Sequence, residues 1–490
     1  MKITKDLYQS SLALFTDLYQ ITMAYGYWKS GTKEREAVFH LYFRSNPFKG
    51  GFAIACGLQY AIDYLDNLKM TDDDIAYLRN LKGNDGELLF EEEFLQYLAE
   101  MKFLCDIEAI PEGTAVFPNE PLMRVRGPLF QCQLVESALL NILNFQTLVA
   151  TKASRLCLAA KGEPILEFGM RRAQGIDGAL AASRASYIGG CVGTSNVLAG
   201  KLFDIPVKGT HAHSWVMSFP TEQEAFEAYA EAMPNNCTFL VDTYNTLEGV
   251  KKSIEVGKKL QAKGHQMVGI RLDSGDLAYL SIEARKLLDT AGFTDANIVA
   301  SNDLDEHIIS SLKTEQDARV NVWGVGTKLA SAYDQPALGG VYKMSAMKDD
   351  KGNWQHKIKL SEQKAKVSNP GIQQVRRFYN KGQFIADMIY DTQQELPTEV
   401  IIIDPMDDTR RKKVAANTEY EDLLVPIFEK GKLIYENPSI REMRKRTHEE
   451  LNKLHPSILR FKNPHDYPVG LEKRLYELKN DLILKLKGFK

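Results

Sequence analysis

The sequence predicts an α/β fold whose central part is an α/β barrel, and three observations lead to this prediction. From Pro164 onward, short apolar segments with the character of strands alternate with helix-like segments. The strand candidates are almost continuously apolar, as expected for parallel strands that are covered on both faces. The turns after them hold polar residues, and polar groups at the carboxyl ends of parallel strands are what a barrel uses to build an active site.

The strand candidates are residues 164–168, 205–210, 237–242, 267–273, 297–302 and 320–326. The polar residues in the turns that follow are Arg171, His213, Asp242, Asp273, Asn302 and Thr327. An open doubly wound sheet would satisfy the same alternation of strands and helices. No Gly-x-Gly-x-x-Gly fingerprint follows a first strand, however, so the barrel is the favoured architecture.

The segment before the barrel reads as a separate mixture of helices and strands. A helix is predicted over residues 15–31, with Thr16 or Asp17 placed to cap its start and Gly31 to end it. A β-branched and aromatic segment predicts a strand at 36–48, and residues 57–68, 87–102 and 131–162 read as helical. Residues 114–118 and 121–127 are expected to form a hairpin closed by Pro118 and Asn119. The first domain boundary is placed near residue 150.

Beyond about residue 350 the composition becomes more polar. Residues 348–357 resemble a polar hairpin, residues 404–413 a charged turn, and residues 471–490 an amphipathic helix. Packing against the body of the protein is favoured for this helix over a role at a membrane surface. Three segments are therefore predicted: residues 1–150, the barrel at 151–350 and a C-terminal segment at 351–490 that packs on the first.

Composition limits the classes of partner. The chain has 490 residues, 44% of them hydrophobic, and a formal net charge of only −3, without the basic stripe that nucleic-acid binding requires. The beginning has no apolar core of a signal peptide and no segment has the length of a membrane span, so a cytoplasmic protein with small-molecule partners is expected. Six widely spaced cysteines predict buried free thiols.

The segment Gly209–Phe219 is the most informative stretch, because it holds His211 and His213 beside a Gly-Thr turn. Two histidines at positions i and i+2 of a strand point the same way and could bind a metal, as in barrel hydrolases. Only seven other histidines exist, and His265 and His307 do not follow strands, so a second pair is hard to find. No metal site built from a cluster of side chains is therefore predicted.

Three further loops carry groups suited to phosphates or a planar acid. Arg271, Asp273 and Asp276 surround a Ser-Gly turn, a mixture that can hold a ribose phosphate and its Mg²⁺. Gly324, Gly326 and Thr327 precede a helix candidate whose amides attract an anion. Phe168 can stack on a flat ring, and Arg171 can pair with a carboxylate or phosphate. Each pattern alone is common in turns and ion pairs.

Taken together in order, these motifs resemble the nicotinate phosphoribosyltransferase family over essentially the whole chain. The motifs are TDLYQITMAYGYW, FRSNPFKGG, EFGMRRAQG, ASRASYIGGCVGTSNVLAG, GTHAHSW, LVDTY, IRLDSGDL, ASNDLDE and VWGVGTKL. The resemblance implies transfer of a phosphoribosyl group from phosphoribosyl pyrophosphate to nicotinate in NAD biosynthesis. It also implies coupled ATP hydrolysis through a phosphohistidine, Mg²⁺ bound with the phosphates, and a homodimer with shared active sites.

The resemblance further implies roles for individual residues. The phosphorylated histidine is expected to be His213, with Asp242 holding it, whereas His211 occupies a variable position and is expected to be replaceable. The catalytic set is His213, Asp242 and Asp273. Residues expected to bind nicotinate are Tyr19, Phe168, Arg171, Thr210, Ser214 and Arg271, with Tyr19 lent by the partner subunit. Residues expected to bind phosphoribosyl pyrophosphate are Arg44, Arg271, Asp273, Ser274, Gly275, Asn302, Gly326 and Thr327, with Arg44 lent by the partner.

The implied fold is an irregular, open α/β barrel with an additional α/β domain built from both chain ends. Relatives that use nicotinamide have an aspartate where this chain has Ser195, and the uncharged segment here favours nicotinate because no carboxylate repels the substrate. Two alternatives remain: a metal-dependent barrel hydrolase that uses His211 and His213, and a nucleotide-binding sensor without catalytic activity.

Overall fold

The computed structural model describes residues 10–363 and 366–489 of the chain. It has a mixed α/β fold with three sheets of six or seven strands and one two-stranded pair, which confirms the predicted class. Residues 1–9, 364–365 and 490, which belong to the predicted first and last segments, lie outside the described part. Within that part, no helix combines the length and the apolar character needed to cross a membrane.

The first part of the chain alternates helices with short strands. In order, its elements are α1 (Leu18–Lys29), β1 (Glu36–Phe43), β2 (Ala53–Ile54), α2 (Leu58–Asp66), α3 (Asp72–Arg79), α4 (Glu92–Ala99), β3 (Asp106–Ala109), β4 (Ala115–Val116), β5 (Met123–Pro128), α5 (Leu129–Leu134) and α6 (Glu136–Ala160).

The middle part contains the βα units. Its elements are β6 (Ile165–Glu167), α7 (Gly175–Ile188), β7 (Gly193–Thr194), α8 (Val197–Phe203), α9 (His213–Met217), α10 (Glu222–Ala232), β8 (Thr238–Leu240), α11 (Thr246–Ala262), β9 (Gly269–Leu272), α12 (Leu277–Thr290), β10 (Asn297–Ala300), α13 (Glu306–Thr314), β11 (Val322–Val325) and α14 (Thr327–Ala330).

The last part consists mainly of strands and ends in a helix. Its elements are β12 (Gly340–Lys348), β13 (Trp354–His356), β14 (Gln373–Asn380), β15 (Gln383–Asp391), β16 (Val400–Ile403), β17 (Arg411–Val414), β18 (Tyr420–Asp422), β19 (Val425–Glu429), β20 (Lys432–Leu433), α15 (Ile440–Lys453), β21 (Val469–Glu472) and α16 (Lys473–Leu486).

The first sheet has the order β13-β12-β1-β5-β3-β19-β20 and is antiparallel throughout. Its strands therefore come from regions far apart in the chain, with residues 36–128 pairing with strands near 340–356 and 425–433. The third sheet has the order β17-β16-β21-β15-β14-β18 and lies wholly in the last part of the chain. The predicted turn at 404–413 does connect an antiparallel pair, β16 and β17.

The predicted hairpin of residues 114–118 and 121–127 is wrong. β4 pairs with β2, whereas β5 pairs with β1 and β3. The chain turns at Asn119, whose φ is +70°, and the Asn119 N–H donates to the Phe43 carbonyl at 2.7 Å. The segment after this turn thus runs along β1 instead of folding back on β4, because alternation of apolar residues does not specify which strand is the neighbour.

The second sheet has the order β7-β6-β11-β10-β9-β8, and all its pairs are parallel. Five of the six predicted strands belong to it. The prediction for 205–210 is wrong, because that segment makes only a single bridge from Val207 to Thr194. The edge strand β7 takes that place in the sheet. Pro206 has no N–H to donate to a ladder, which is one reason why the segment is not a regular strand.

Two helices near the beginning differ from the prediction. Asp17 lies at the start of α1, but its carboxylate accepts a hydrogen bond from the Ser137 hydroxyl at 2.5 Å and does not cap the helix. The helix α3 was not predicted, although Thr71 and Asp74 form a complete capping box at its start. The sequence signal for it, Thr-x-x-Asp, was therefore present.

The predicted amphipathic helix near the end is confirmed as α16, in which Leu475 is fully buried. The Leu475 side chain of this helix therefore packs against the body of the protein, as expected. All six cysteines are free thiols, and five are buried while Cys157 is half-buried. The limits of the three predicted segments stay a prediction.

Candidate active site

The parallel sheet places several candidate residues at one edge. Asp242 follows β8, Asp273 follows β9, Ser301 follows β10 and Phe168 follows β6. Because parallel strands deliver their carboxyl ends to the same edge, residues distant in sequence become neighbours there. The order of the strands puts β8, β9 and β10 side by side, so their side chains make the closest contacts.

Arg271 is the centre of this group. Its guanidinium donates to the Ser301 hydroxyl at 2.8 Å, to the Thr210 hydroxyl at 3.1 Å and to Asp273 Oδ1 at 2.7 Å. Its Cζ lies 5.7 Å from the centre of the Phe168 ring. One side chain therefore connects the turns after β6 and β10 with the Gly-Thr turn.

Asp273 is kept ionised by its neighbours. Burial alone would raise the pKa of its carboxyl, but the hydrogen bond from the Ser301 hydroxyl and the charge of Arg271 outweigh burial and lower the pKa below its ordinary value. Only Oδ1 takes part in these hydrogen bonds. The second oxygen, Oδ2, has no hydrogen-bond donor within residues 10–363 and 366–489 and lies 3.8 Å from His213 Nε2.

Asp242 is almost completely buried, with 1% of its side chain exposed. Its Oδ2 accepts hydrogen bonds from the Asp273 N–H at 2.8 Å and from the Ser274 hydroxyl at 2.7 Å. Its Oδ1 has no partner in the described structure and lies 4.0 Å from His213 Nε2. Asp242 thus positions the turn after β9 and directs one free carboxylate oxygen toward His213.

His213 is the first residue of the short helix α9 and not part of a strand. Its Nδ1 lies 3.1 Å from the hydroxyl of Thr243, a residue that was not predicted from the sequence. The side chain is 40% exposed, and Nε2 faces Asp242 and Asp273 without hydrogen-bonding to either. The imidazole is therefore oriented through Nδ1, while Nε2 is left accessible.

His211 does not share a centre with His213, which corrects the idea of a histidine pair on one strand face. The Leu240 N–H of β8 donates to His211 Nε2 at 3.2 Å, and Nδ1 lies 3.3 Å from the Ala212 carbonyl. Both ring nitrogens are thus occupied within the protein. The ring is 7% exposed and packs edge-on against Tyr229, with Phe226 and Phe239 nearby. This packing gives His211 a structural role, and the expectation that the residue is replaceable stays a prediction.

Burial of His211 has a consequence for stability in acid. Loss of hydration lowers the pKa of its imidazole to about 4, below the value of about 6.5 in an unfolded chain. Between these pH values the imidazole binds a proton in the unfolded state but not in the folded state. The free energy of unfolding therefore decreases as pH falls. We expect this residue to reduce the free energy of unfolding by about 2–3 kcal/mol from pH 7 to pH 4.

Urea unfolding at several pH values measures this effect. His211→Gln keeps a side-chain acceptor near Leu240 but removes the titrating ring, so its stability should fall less steeply with acid than that of the unmodified protein. His265, which is half-buried and bonded to Asn235, supplies the control His265→Gln. An acid slope identical in the unmodified protein and His211→Gln would contradict the expectation.

The turn after β6 presents the aromatic and cationic residues predicted to bind a ring. Phe168 is fixed by its N–H, which donates to the Val325 carbonyl at 2.8 Å, and its ring fills the space beside Gly324. A Cβ at Gly324 would lie 2.7 Å from that ring, so only glycine fits. Arg171 follows in a short 3₁₀ turn and is exposed, with no ion pair among the described residues.

The remaining predicted residues surround the same edge. Thr210 is held by Arg271, Ser274 by Asp242, and Ser214 is exposed in α9. Gly275 has a φ of +78° and Asn302 a φ of +89°, so both turns use left-handed backbone. Gly326 and Thr327 lie at the start of α14, whose first N–H groups have no partner within the helix.

Tyr19 and Arg44 are not part of this group of contacts. Tyr19 lies on α1, where it lines a separate cleft of about 520 Å³ at the first sheet. Lysines and aromatic residues also line this cleft, among them Lys343, Lys357, Lys359, Tyr27 and Tyr342. Arg44 follows β1, and its Nε is buried without a hydrogen-bond partner in the described structure. A basic, partly aromatic surface thus lies apart from the Arg271 group.

The carboxylate oxygens of Asp242 and Asp273 are the groups of this site that could bind a divalent cation. Among the described residues, no three His, Cys, Asp or Glu side chains gather closely enough to hold a metal ion by themselves. The unpartnered oxygens Asp242 Oδ1 and Asp273 Oδ2 do provide the hard ligands that Mg²⁺ prefers. The site therefore suits a Mg²⁺ ion that takes its other ligands from substrate phosphates and water.

Three family models match the chain. The nicotinate phosphoribosyltransferase N-terminal domain matches residues 14–144, the nicotinate phosphoribosyltransferase family matches 164–383, and the nicotinate phosphoribosyltransferase C-terminal domain matches 372–479. Nicotinate phosphoribosyltransferase of Bacillus subtilis is 47% identical over 485 residues, covering 98% of this chain and 96% of that protein. The protein of the same name from Dictyostelium discoideum is 38% identical, covering 96% and 88%. The crystal structure of human nicotinic acid phosphoribosyltransferase superposes with a TM-score of 0.84 at 33% identity, covering 95% and 99%.

Proposed function

Since the chain belongs to the nicotinate phosphoribosyltransferase family, we propose that it joins nicotinate to phosphoribosyl pyrophosphate in NAD biosynthesis, with ATP hydrolysis coupled to the reaction through His213. The observation that carries the proposal is the accessible imidazole of His213, which faces Asp242 and Asp273 beside the Arg271 group. A phosphate acceptor and a carboxylate suited to a cationic ribose therefore occupy one edge of the sheet.

The transfer step breaks the bond between ribose C1 and the pyrophosphate oxygen. The electron pair of that bond leaves with pyrophosphate, and the lone pair of the pyridine nitrogen forms the new bond to C1. Positive charge develops on the ribose ring, and the ionised Asp273 carboxylate stabilises it by a preorganised charge. Asp242 Oδ1 and Asp273 Oδ2 would hold Mg²⁺, which supplies neutralisation of the departing pyrophosphate charge.

Nicotinate is bound by the turn after β6 and the segment opposite it. Phe168 stacks on the pyridine ring, and the exposed guanidinium of Arg171 pairs with the carboxylate in a bidentate geometry. Thr210 and Ser214 supply hydroxyl groups from the other side. Ser195 leaves this region without an added negative charge, and nicotinate is therefore preferred over nicotinamide.

The phosphates of phosphoribosyl pyrophosphate are bound by loops rich in free backbone amides. Gly326 and Thr327 offer the unpaired N–H groups at the start of α14, and Ser274 and Gly275 form the turn held by Asp242. Asn302 adds a side-chain amide from the left-handed turn after β10. Arg271 binds near both substrates because it connects these loops.

ATP coupling uses His213 as a temporary phosphate acceptor. Nε2 attacks the γ-phosphorus of ATP, the bond to the β-phosphate oxygen breaks, and ADP leaves with that electron pair. Water later hydrolyses the phosphoimidazole and releases inorganic phosphate. Thr243 at Nδ1 orients the ring for this attack. While it is attached, the negatively charged phosphoryl group attracts the amides and cations of the substrate loops and closes them.

A homodimer with shared sites completes this proposal. Large apolar side chains are exposed beside the candidate site, namely Met170, Ile176, Val197, Leu198 and Leu202, and others are exposed at the beginning of the chain, namely Leu12, Phe15, Leu18 and Tyr19. Burying one set against the other in a second copy would remove both from water. Such contact would bring the partner's Tyr19 and Arg44 to the nicotinate and phosphate subsites.

We also propose that the parallel sheet closes into an irregular barrel. The segment from 205 to 211 spans the two edges of the parallel sheet, since Val207 bridges to Thr194 of β7 and His211 accepts the N–H of Leu240 in β8. An irregular segment of this kind would close the sheet without adding a regular strand.

His213→Ala tests the coupling. Product formation from nicotinate and phosphoribosyl pyrophosphate should continue slowly in this variant but lose its stimulation by ATP, because no acceptor for the γ-phosphate remains. The unmodified protein should carry ³²P from γ-labelled ATP, and His213→Ala should not. His265→Ala is the control and should keep both properties.

Unchanged stimulation by ATP in His213→Ala would contradict the assigned acceptor. Binding of phosphoribosyl pyrophosphate by the unmodified protein without any turnover would support a sensor and contradict the enzyme. The first outcome is read by separating product from labelled phosphate, and the second needs a binding measurement with phosphoribosyl pyrophosphate beside the same assay.

A further inference from the structure

The turn proposed to bind nicotinate, Phe168–Arg171, is called the nicotinate turn below. It follows a buried glutamate that the proposed reaction does not use. Glu167 is the last residue of β6 and directly precedes Phe168, and its side chain is only 1% exposed. Within the described ranges, no lysine, arginine or histidine forms an ion pair with its carboxylate. A buried carboxylate without a cation is costly to keep, so its hydrogen bonds are of interest.

Three donors converge on that carboxylate. The Gly169 N–H donates to Oε1, while the hydroxyls of Ser183 and Thr194 donate to Oε2 at 2.9 and 2.5 Å. The donors come from three different elements: the nicotinate turn, α7 and β7. The carboxylate therefore ties the turn to the helix and the strand that surround it.

Further hydrogen bonds connect this carboxylate group to Ser195 and Asn196. The Ser195 N–H donates to the Glu167 carbonyl at 2.9 Å, and the Asn196 N–H donates to the Thr194 hydroxyl at 2.9 Å. The Asn196 amide also donates to the Ser183 hydroxyl at 3.2 Å. Phe168 and Ser195 are thus held at a fixed separation by the main chain and side chain of a single residue.

The turn has little space in which to move. A Cβ at Gly169 would lie 2.4 Å from the Ala330 Cβ and 2.7 Å from the Gly326 carbonyl oxygen. The backbone of the nicotinate turn is therefore packed directly on the loop proposed to bind phosphate. A small shift of this turn would change where Phe168 and Arg171 point, and such shifts lower the affinity for an oriented ligand.

We propose that Glu167 is a positioning residue whose buried carboxylate fixes the Phe168–Arg171 turn against Thr194–Asn196 and thereby sets the pocket for the pyridine carboxylate. The inference rests on the proposed binding of nicotinate at this turn. The turn requires a hydrogen-bond acceptor at Oε1, because the backbone N–H of Gly169 has a fixed direction. The two hydroxyls that face Oε2 can instead reorient.

The two replacements of Glu167 should therefore differ in severity. Glu167→Gln can keep an acceptor for the Gly169 N–H but loses the second acceptor oxygen. Glu167→Ala leaves the Gly169 N–H without its acceptor, whereas the hydroxyls of Ser183 and Thr194 can still donate to the Ala179 carbonyl and the Ser183 hydroxyl. We expect Glu167→Ala to raise the KM for nicotinate by about 10- to 100-fold. Glu167→Gln should raise it less, and the KM for phosphoribosyl pyrophosphate should change by less than about threefold in both variants.

Steady-state kinetics of the full-length enzyme, with each substrate varied in turn, measures the two KM values and kcat. Glu222, which is also buried and pairs with Lys252, supplies the control Glu222→Gln, for which neither KM should change. If Glu167→Ala fails to fold, Thr194→Val and Ser183→Ala each remove one donor with little change of shape. Either should then raise the KM for nicotinate selectively, though less.

Equal increases in both KM values, or no increase in the KM for nicotinate, would overturn the positioning role. Absence of nicotinate mononucleotide formation by the unmodified protein would instead overturn the proposed function. The two failures are distinguished because the unmodified protein is assayed first under the same conditions.

Discussion

Arg271→Ala is expected to lower kcat/KM by about a thousandfold while the protein remains folded. The variant loses three hydrogen bonds that hold Thr210, Ser301 and Asp273, and it loses the cation over the Phe168 ring. No other side chain in the described structure contacts all of these groups. Arg271→Lys should recover only a small part of the activity, because an ammonium group cannot reproduce the planar fork of donors.

The pH profile of the variant provides a second measure. Burial raises the pKa of Asp273, whereas Ser301 and Arg271 lower it. Without Arg271 the effect of burial weighs more, so the pKa of Asp273 should rise. A group with a raised pKa becomes protonated at higher pH, and the acid limb of the kcat/KM profile should therefore move to higher pH.

Arg441→Ala is the matched control for this experiment. Arg441 pairs with the exposed Asp204 and lies outside the candidate site. Its removal should leave kcat/KM and the acid limb unchanged. A loss of less than about tenfold in Arg271→Ala, or an unmoved acid limb, would contradict the central position that the structure gives to Arg271.

Several residues of this group could be predicted from the sequence, because Asp242, Asp273 and Phe168 end apolar strand candidates and Arg271 lies two residues before Asp273. Ser301, Thr243 and Glu167 were not predicted, since each acts by contact with a neighbour from another strand or turn. Those contacts depend on the strand order in the parallel sheet, and alternation of strands and helices does not specify that order.

The expectation that His211 and His213 share one strand face was wrong for a related reason. Spacing of two histidines predicts a shared face only if the backbone is extended, and the chain is irregular before α9 begins at His213. The first sheet shows the same limit at a larger scale. β1 pairs with β12 about 300 residues later, and local patterns do not identify partners at that separation.

Arg377→Met is expected to destabilise the protein by about 3–5 kcal/mol. Arg377 lies on β14, is fully buried, and donates to Asp387 at 2.6 Å, to Glu450 at 2.9 Å and to the Ala115 carbonyl at 2.8 Å. These partners lie on β15, α15 and β4, so one guanidinium connects three parts of the chain. Methionine fills the volume but leaves the fully buried Asp387 carboxylate without a cation among the described residues, while Glu450 keeps only Lys453, whose Nζ lies 3.7 Å from its Oε1.

Arg376→Met is the matched control, because it changes the adjacent residue of the same strand. Arg376 pairs with Asp422 through two nitrogens and lies over the Tyr420 ring, but solvent reaches this pair, whose side chains are 16% and 34% exposed. We expect a loss of about 1–2 kcal/mol in the free energy of unfolding, smaller than for Arg377→Met. Urea unfolding of both variants measures the difference, and similar losses for the two would contradict the importance of the buried charges.

The double variant Arg377→Met/Asp387→Asn separates the loss of attraction from the cost of an unpaired charge. Asparagine removes the buried negative charge, so the double variant should be less destabilised than the sum of the two single variants.

Low pH should also reduce the destabilisation by Arg377→Met, because protonation removes the same negative charge. An unpaired buried carboxyl has a folded-state pKa above its unfolded value, and the penalty from its charge is removed as pH falls below that pKa. The destabilisation by Arg377→Met should therefore be smaller at pH 5 than at pH 8, and equal destabilisation at both would place the effect in packing instead of charge.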